Sequence, residues 1–286
     1  MTDQLVYLNG NFVPKTEATI SPMDRGFLFG DGIYEVIPCY EGKPVGLALH
    51  LARMRQGLAA LDINYSLNIN EWSSNIDALI APFDGDASVY LHVSRGTDNK
   101  RYHAYPSNIQ PTVFAYAFPI APSQPLDKDE AKVFKVKTQE DLRWKRCHIK
   151  STSLLGNVMH FQQGQDSGVD EVLLYNQQNE LTEAAACNLY VVKNNVVATP
   201  PLDNQILPGI TRHILLHAMR DSGVLEVQER VIKKDELTVA DEVWISSSSK
   251  EVAAVVEVDG KLIGDGRPGD AWLVAQSIYN DYKFKM

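Results

Sequence analysis

Apolar and polar positions change their period several times along the chain, and each change marks an element. Residues 5–13, Leu-Val-Tyr-Leu-Asn-Gly-Asn-Phe-Val, read as two short strands about Asn9-Gly10. That dipeptide accepts the positive φ angles of a tight hairpin turn. A glycine-rich stretch from Asp24 to Gly32 follows, and then a β-rich run through Ile37. Leu47, Leu49, Leu51, Met54, Leu58, Leu61 and Ile63 predict an amphipathic helix over 47–63. A second helix is predicted over 71–81, and strands over 87–95 and 111–118. Residues 119–126 hold three prolines and read as a linker. The predicted organisation is an N-terminal α/β domain over 1–120, a linker at 121–129 and a C-terminal α/β domain over 130–286.

The second half opens with a strand at 132–138. The charged stretch Glu140 to His148 then turns into a short strand at Lys150 and a helix over 152–166. Strands are predicted at 171–175 and 189–192, with a hairpin at Asn194-Asn195. A helix runs from Gly209-Ile210-Thr211 to about Ser222. Strands follow at 242–246 and 252–258, with a turn at Asp259-Gly260 and a last helix from Asp270. Hairpin-linked strands alternating with helices point to a mixed α/β (α+β) fold rather than a doubly wound parallel sheet.

Composition narrows the class. The chain has 286 residues, 44% hydrophobic and 22% charged, which suits a globular protein with a sizeable core. A net charge of -9 argues against nucleic-acid and membrane-surface partners. It leaves room for an anionic ligand, because a local cluster of donors suffices to hold one. The three cysteines, Cys39, Cys147 and Cys187, form no CxxC and read as reduced thiols of a cytoplasmic protein. Met1-Thr2-Asp3-Gln4 carries no basic segment, so no signal peptide is expected. No run of apolar residues is long enough for a transmembrane helix.

Nucleotide-binding glycine motifs are absent, since Gly30-Asp31-Gly32 lacks the third glycine of GxGxxG. His213 and His217 have a spacing zinc ligands can use, but without HExxH they read as helix-surface histidines, and no metal is expected. Ser246 to Ser249 have no GxSxG context. Lys150 is different. It sits beside Ile149 and Ser151 to Ser153, with Arg143, Lys145 and Arg146 upstream. Apolar neighbours and nearby cations lower an amine's pKa and make it a nucleophile able to form a Schiff base. Glu183 precedes Ala184-Ala185-Ala186-Cys187, small residues that let a flat ligand approach the backbone, and its carboxylate could hold a ring nitrogen protonated. Gly209, Ile210 and Thr211 open a helix, whose free N–H groups attract anions. Ser248, Ser249 and Arg53 could complete a phosphate cup. Singly, each is more often a solvated lysine, a loop glutamate, a helix start, a polar turn or a surface arginine. Together they fit one cofactor, pyridoxal 5'-phosphate, which needs an amine, a carboxylate and a phosphate site.

The order and spacing of these segments resemble the class IV, fold-type IV pyridoxal-phosphate aminotransferases, and within them the bacterial D-amino acid (D-alanine) transaminases. The resemblance spans nearly the whole chain. It is carried by Asp24-Arg25-Gly26 through Glu35, Arg95-Gly96-Thr97 through His103, Arg143 through Ser151, Leu181-Thr182-Glu183 with Asn188, and Gly209-Ile210-Thr211-Arg212. It implies a two-domain fold with the cofactor between the domains, and a homodimer. It implies Lys150 as the Schiff-base lysine and proton carrier, Glu183 at the pyridine nitrogen, and Asn188 beside the cofactor. Arg53, Ile210, Thr211, Ser248 and Ser249 would surround the phosphate. Tyr34 would lie near the substrate. Arg101 and His103 would bind the substrate carboxylate from the neighbouring subunit. The implied reaction moves an amino group between a D-amino acid and a 2-oxo acid. Within the family, 4-amino-4-deoxychorismate lyase and branched-chain L-aminotransferase are the alternatives, and Arg101-Tyr102-His103 favours the D-amino acid reading. A non-catalytic protein that kept the fold is the rival outside it; intact Lys150 and Glu183 speak against that. Two departures stand out. Alanines and a cysteine follow Glu183 where the family often has glycine or serine, and the loop holding Arg101 is one residue longer, at Asp98-Asn99-Lys100.

Overall fold

The computed structural model describes residues 4–286, so Met1-Thr2-Asp3 of the N-terminal reading lie outside the described residues. The chain divides into two compact units. One comprises the residues up to Pro122 together with Ile149–Leu154; the other comprises Ser123–His148 and Leu155–Lys285.

The first unit is built on a six-stranded sheet. Its elements are β1 (Leu5–Leu8), β2 (Asn11–Pro14), α1 (Arg25–Phe29), β3 (Gly32–Tyr40), β4 (Lys43–Pro44), α2 (Leu47–Ala60), α3 (Ile69–Ile80), β5 (Ala87–Ser94) and β6 (Thr112–Pro119). The strand order is β2-β1-β6-β5-β3-β4, antiparallel throughout. Asn9 and Gly10 take positive φ at the β1–β2 turn, as the dipeptide predicts. Ile33 and Ile37 of β3 pack with Leu51, Met54 and Leu58 of α2 and with Trp72, Ile76 and Leu79 of α3. Truncating a side chain as large and as buried as Trp72 costs about 3–5 kcal/mol.

Both helices differ from the periodicity at their ends. α2 stops at Ala60, three residues early, because Asp62 takes a positive φ of 51° and the Ile63 amide turns back onto Leu58 O. α3 starts two residues early because Asn68 caps the amides of Asn70 and Glu71.

The second unit is a nine-stranded mixed sheet with three α-helices and a short 3-10 turn at Lys234–Thr238. It contains β7 (Val133–Glu140), α4 (Leu155–Asp166), β8 (Glu171–Tyr175), β9 (Leu181–Ala184), β10 (Asn188–Lys193), β11 (Val196–Thr199), α5 (Ile210–Ser222), β12 (Glu226–Glu229), β13 (Glu242–Ser247), β14 (Glu251–Val258), β15 (Lys261–Leu262) and α6 (Asp270–Tyr282). The order is β12-β11-β10-β13-β14-β7-β8-β9, with β15 on β14. The β11–β12, β14–β7 and β7–β8 pairs are parallel and the others antiparallel. The mixed α/β architecture is thus the one the pattern predicts.

Residues 149–154 depart from the sequence reading in two ways. That reading assigned Lys150 to the C-terminal domain, with a short strand there and a helix from 152. The segment instead groups with the first unit. The Thr152 amide donates to Gly32 O at 2.9 Å, its hydroxyl donates to Gly30 O at 3.0 Å, and Ser151 forms a lone bridge to Ile33. Backbone held in this way cannot coil, so α4 begins only at Leu155. Among the described residues, no helix is long and apolar enough to cross a membrane.

Candidate active site

Alternation along β3 sends Tyr34 to one face of its sheet and Glu35 to the other. On the Tyr34 face, the Tyr34 amide donates to Lys150 O at 3.1 Å, which fixes the lysine backbone against the strand. The Lys150 ammonium lies 4.2 Å from the centre of the Tyr34 ring, within cation–π range. Tyr34 in turn stacks on Tyr90, and the Tyr90 hydroxyl pairs with His92 Nδ1 at 3.1 Å. Lys145 and Arg146 are exposed, and the Arg143 charge is taken up by two carboxylates described below.

Glu35 points into the apolar row of β3 and is fully buried. A carboxylate there requires partners, and α2 supplies them from residues three apart on one face. Arg53 Nε donates to Oε1 at 2.8 Å and Nη2 to Oε2 at 2.6 Å, while His50 Nδ1 lies 2.7 Å from Oε2. Burial alone would raise the Glu35 pKa, but Arg53 and His50 outweigh it and hold the carboxyl at about 2. Burial also lowers the His50 pKa against the pull of Glu35, and the Lys150 charge adds to that lowering. Arg53, read from the sequence as a phosphate ligand, therefore has Nε and Nη2 committed to Glu35. Sequence reasoning gave Glu35 and His50 no role; the His-x-x-Arg spacing on a predicted helix was the available signal.

The second unit holds Glu183 at the end of β9, 5% exposed. Arg143 Nη1 donates to Glu183 Oε1 at 2.6 Å, and the Leu207 amide to Oε2 at 2.9 Å. Arg143 also forks onto Asp141, with Nε on Oδ1 at 3.0 Å and Nη2 on Oδ2 at 2.8 Å. Burial pushes the Glu183 carboxyl above its ordinary value, while Arg143 and the Leu207 amide pull the other way. Burial acts the same way on Asp141, but there Arg143 prevails and the carboxyl lies below its ordinary value. The result is a buried carboxylate–guanidinium–carboxylate chain ending at Glu183.

Asn188 ties that carboxylate to the start of α5. Its Nδ2 donates to Leu207 O at 2.9 Å and reaches Glu183 Oε2 at 3.4 Å. Gly209, the residue before α5, packs so closely on Asn188 that a Cβ there would lie 2.0 Å from Oδ1. No side chain caps α5, so the amides of Ile210 and Thr211 open its N-terminus for an anion. The structure thus brings Glu183, Asn188, Gly209, Ile210 and Thr211 together. Ser248 and Ser249 lie in the β13–β14 turn, where Ser249 is exposed and its hydroxyl meets Ser247 Oγ at 3.5 Å. The departure after Glu183 forms a tight turn, with the Ala184 amide on Cys187 O and Ala186 exposed at its tip. The Cys187 thiol donates to Glu171 at 3.5 Å, and burial pushes its pKa to about 12, so it is no nucleophile at neutral pH. His213 and His217 are exposed on α5.

Arg101 and His103 are exposed on the irregular segment 98–111 of the first unit. Both side chains meet Phe29, the Arg101 guanidinium 5.2 Å and the His103 ring 5.4 Å from its ring centre.

Comparison with known proteins fits this arrangement. Residues 32–258, from β3 to β14, match the family model for class IV amino-transferases. A D-alanine aminotransferase of Bacillus licheniformis is 38% identical over 265 residues, 92% of each chain. One of Staphylococcus haemolyticus is 33% identical over 279 residues, 97% of each. Among solved structures, a branched-chain amino acid aminotransferase of Escherichia coli superposes with a TM-score of 0.89, covering 99% of this chain and 96% of that one. One from Thermoproteus uzoniensis does so with a TM-score of 0.82, covering 98% and 93%. At 23% and 22% identity these two establish the fold alone. The family model spans the strand that carries Tyr34, the segment of Lys150, the turn of Glu183 and the start of α5, and relatives above 30% identity run the chain's length: this protein belongs to the class IV aminotransferases.

Proposed function

We propose that the protein is a pyridoxal-phosphate-dependent transaminase that moves an amino group between a D-amino acid, such as D-alanine, and a 2-oxo acid. The observation that carries this reading is the Asn188 tie. It fixes a buried carboxylate, Glu183, relative to an uncapped helix N-terminus, as a cofactor with a ring nitrogen and a phosphate requires. The donor set fits pyridoxal phosphate. Lys150 would hold it covalently; Glu183 would face the ring nitrogen, with Asn188 beside it. Gly209, Ile210, Thr211, Ser248 and Ser249 would receive the phosphate with Arg53, whose fork on Glu35 keeps the guanidinium oriented.

When bound, pyridoxal phosphate supplies an aldehyde for the substrate amine and a ring that accepts the electron pair left at the substrate α-carbon. The protein's part is to place charge and protons. Glu183, held by Arg143, would keep a proton at the ring nitrogen. The Lys150 amine, poised on the Tyr34 ring, would take and return the proton at the α-carbon. Tyr34 would present its hydroxyl toward the substrate. Arg101 and His103 would clamp the substrate carboxylate in the neighbouring subunit of a homodimer. Fixing the carboxylate on one side decides which α-substituent faces Lys150, and so selects the D-enantiomer. The two curated relatives are both D-alanine aminotransferases, which supports the substrate class. The branched-chain structures share the fold only and carry no second reading.

The test is a half-reaction screen of the purified yellow protein against D- and L-amino acids and aminodeoxychorismate, followed by absorbance. D-alanine should bleach the cofactor band fastest. Faster conversion of L-amino acids, or pyruvate release from aminodeoxychorismate, would overturn the assignment.

A further inference from the structure

Arg25, in a segment to which the proposed reaction assigns no role, is buried at the start of α1, with 2% of its surface exposed. Its Nη1 donates to Tyr102 O at 2.6 Å and its Nη2 to His103 O at 3.2 Å. One planar guanidinium thus grips two successive carbonyls of a segment that has neither helix nor strand from 98 to 111. Gripping adjacent carbonyls sets the peptide plane between Tyr102 and His103, and with it the direction in which His103 leaves the backbone. The same guanidinium lies 4.8 Å from the centre of the Phe29 ring, the ring on which Arg101 and His103 also rest.

Arg25 is itself held. Its Nε donates to Asp31 Oδ2 at 2.8 Å, and Arg95 forks onto the same carboxylate at 2.7 and 3.0 Å. Arg95 is anchored in turn by Leu61 O and Asp62 O, and its guanidinium stacks 3.5 Å from the centre of the Tyr105 ring. Asp24 caps the Gly26 amide and accepts from Ser94 and Thr112, which locks α1 to β5 and β6. The Arg25 amide donates to Gly96 O, where φ is +107° and a Cβ would collide with Gln110 O.

We propose that Arg25 is the positioning residue of the substrate-carboxylate loop: it pre-sets Arg101 and His103 by fixing the carbonyls of Tyr102 and His103. This rests on the reading of Arg101 and His103 as the clamp. Arg25→Met removes the fork but leaves Asp31 paired with Arg95. Arg25→Lys keeps a charge for Asp31 but cannot span two carbonyls, and it carries the test if Arg25→Met fails to fold. Both should raise KM for D-alanine about 10-fold, with kcat near wild type, because the loop must be ordered at each binding event. The inhibition constant of propionate, a carboxylate without an amine, should rise in the same proportion. Amide hydrogen exchange over 98–105 should quicken. In an Arg101→Ala background, Arg25→Met should add little, since both act on one clamp.

An Arg101→Ala variant that binds D-alanine and propionate like wild type would overturn the clamp, and this assignment with it. A weakened Arg101→Ala beside Arg25 variants at wild-type KM and inhibition constant would overturn the role of Arg25 alone. So would a full additive penalty in the double variant.

Discussion

Arg143→Met removes the cation that holds Glu183 while keeping the volume of the side chain. The guanidinium touches Glu183 Oε1 at 2.6 Å and is itself 2% exposed, so solvent screens the pair little. With charge centres about 4 Å apart and an effective dielectric of about 20, the attraction is about 4 kcal/mol. Leu207 N and Asn188 still donate to Glu183 after the substitution, and Glu183 relaxes further by taking up a proton. We therefore expect about 2–3 kcal/mol to reach the barrier for α-proton removal, or about 30- to 160-fold in rate. The sign with pH follows. Without Arg143, burial holds the Glu183 carboxyl protonated to higher pH, so the variant should regain activity as pH rises. The assay is stopped-flow bleaching of the cofactor band by D-alanine between pH 6 and pH 9, beside Glu183→Gln and the double variant. If Arg143 acts through Glu183, the double variant should be no slower than Glu183→Gln. A wild-type rate and pH profile in Arg143→Met would refute the reasoning, as would a double variant slowed by the product of the single effects.

Other consequences are open to direct measurement. Borohydride reduction of the holoenzyme followed by peptide mapping should place the label on Lys150; label on another lysine would remove it from its role. Gly209→Ala puts a Cβ 2.0 Å from Asn188 Oδ1, so it should displace the residue that ties Glu183 to α5. Equilibrium dialysis should then show pyridoxal phosphate binding weakened about 10-fold or more, which corresponds to about 1.4 kcal/mol, and unchanged affinity would show that the tie does not matter. Glu35 sits at about 2 against an ordinary 4.5. Its folded pKa lies below the unfolded one, so it contributes about 3 kcal/mol that is fully present above the unfolded value and lost as pH falls toward the folded one. His50, lowered by burial, adds loss of the same sign below its ordinary 6.5. Urea midpoints at pH 5.5 and pH 3 should fall steeply for wild type and less for Glu35→Gln; equal slopes would contradict the Glu35 account.

What the sequence by itself determined was local. Asn9-Gly10 declares its hairpin because the turn needs φ angles that those two residues tolerate. The stripe from Leu47 to Leu58 declares a helix because one side of it must leave water. The spacing of the segments around Lys150 and Glu183 indicated the family, and the family model and relatives agree. Element ends were less legible, since they depend on particular amides finding acceptors: Asn68 starts α3 early, and the bonds of Thr152 to Gly30 and Gly32 delay α4.

Partners were decided only by the tertiary structure. Arg25, Arg53 and Arg143 carry the same guanidinium, and nothing in their neighbours states which carboxylate or carbonyl each will meet. Arg53 finds Glu35 18 residues away, Arg143 finds Glu183 40 away, and Arg25 finds Tyr102 O 77 away. A charge's influence depends on what neutralises it, and Arg143 meets two carboxylates, Asp141 and Glu183. Periodicity records which side of an element avoids water. It does not record which polar atoms meet once the chain has folded, because burial penalises every unpaired charge alike and only the packing of sequence-distant elements decides the pairing.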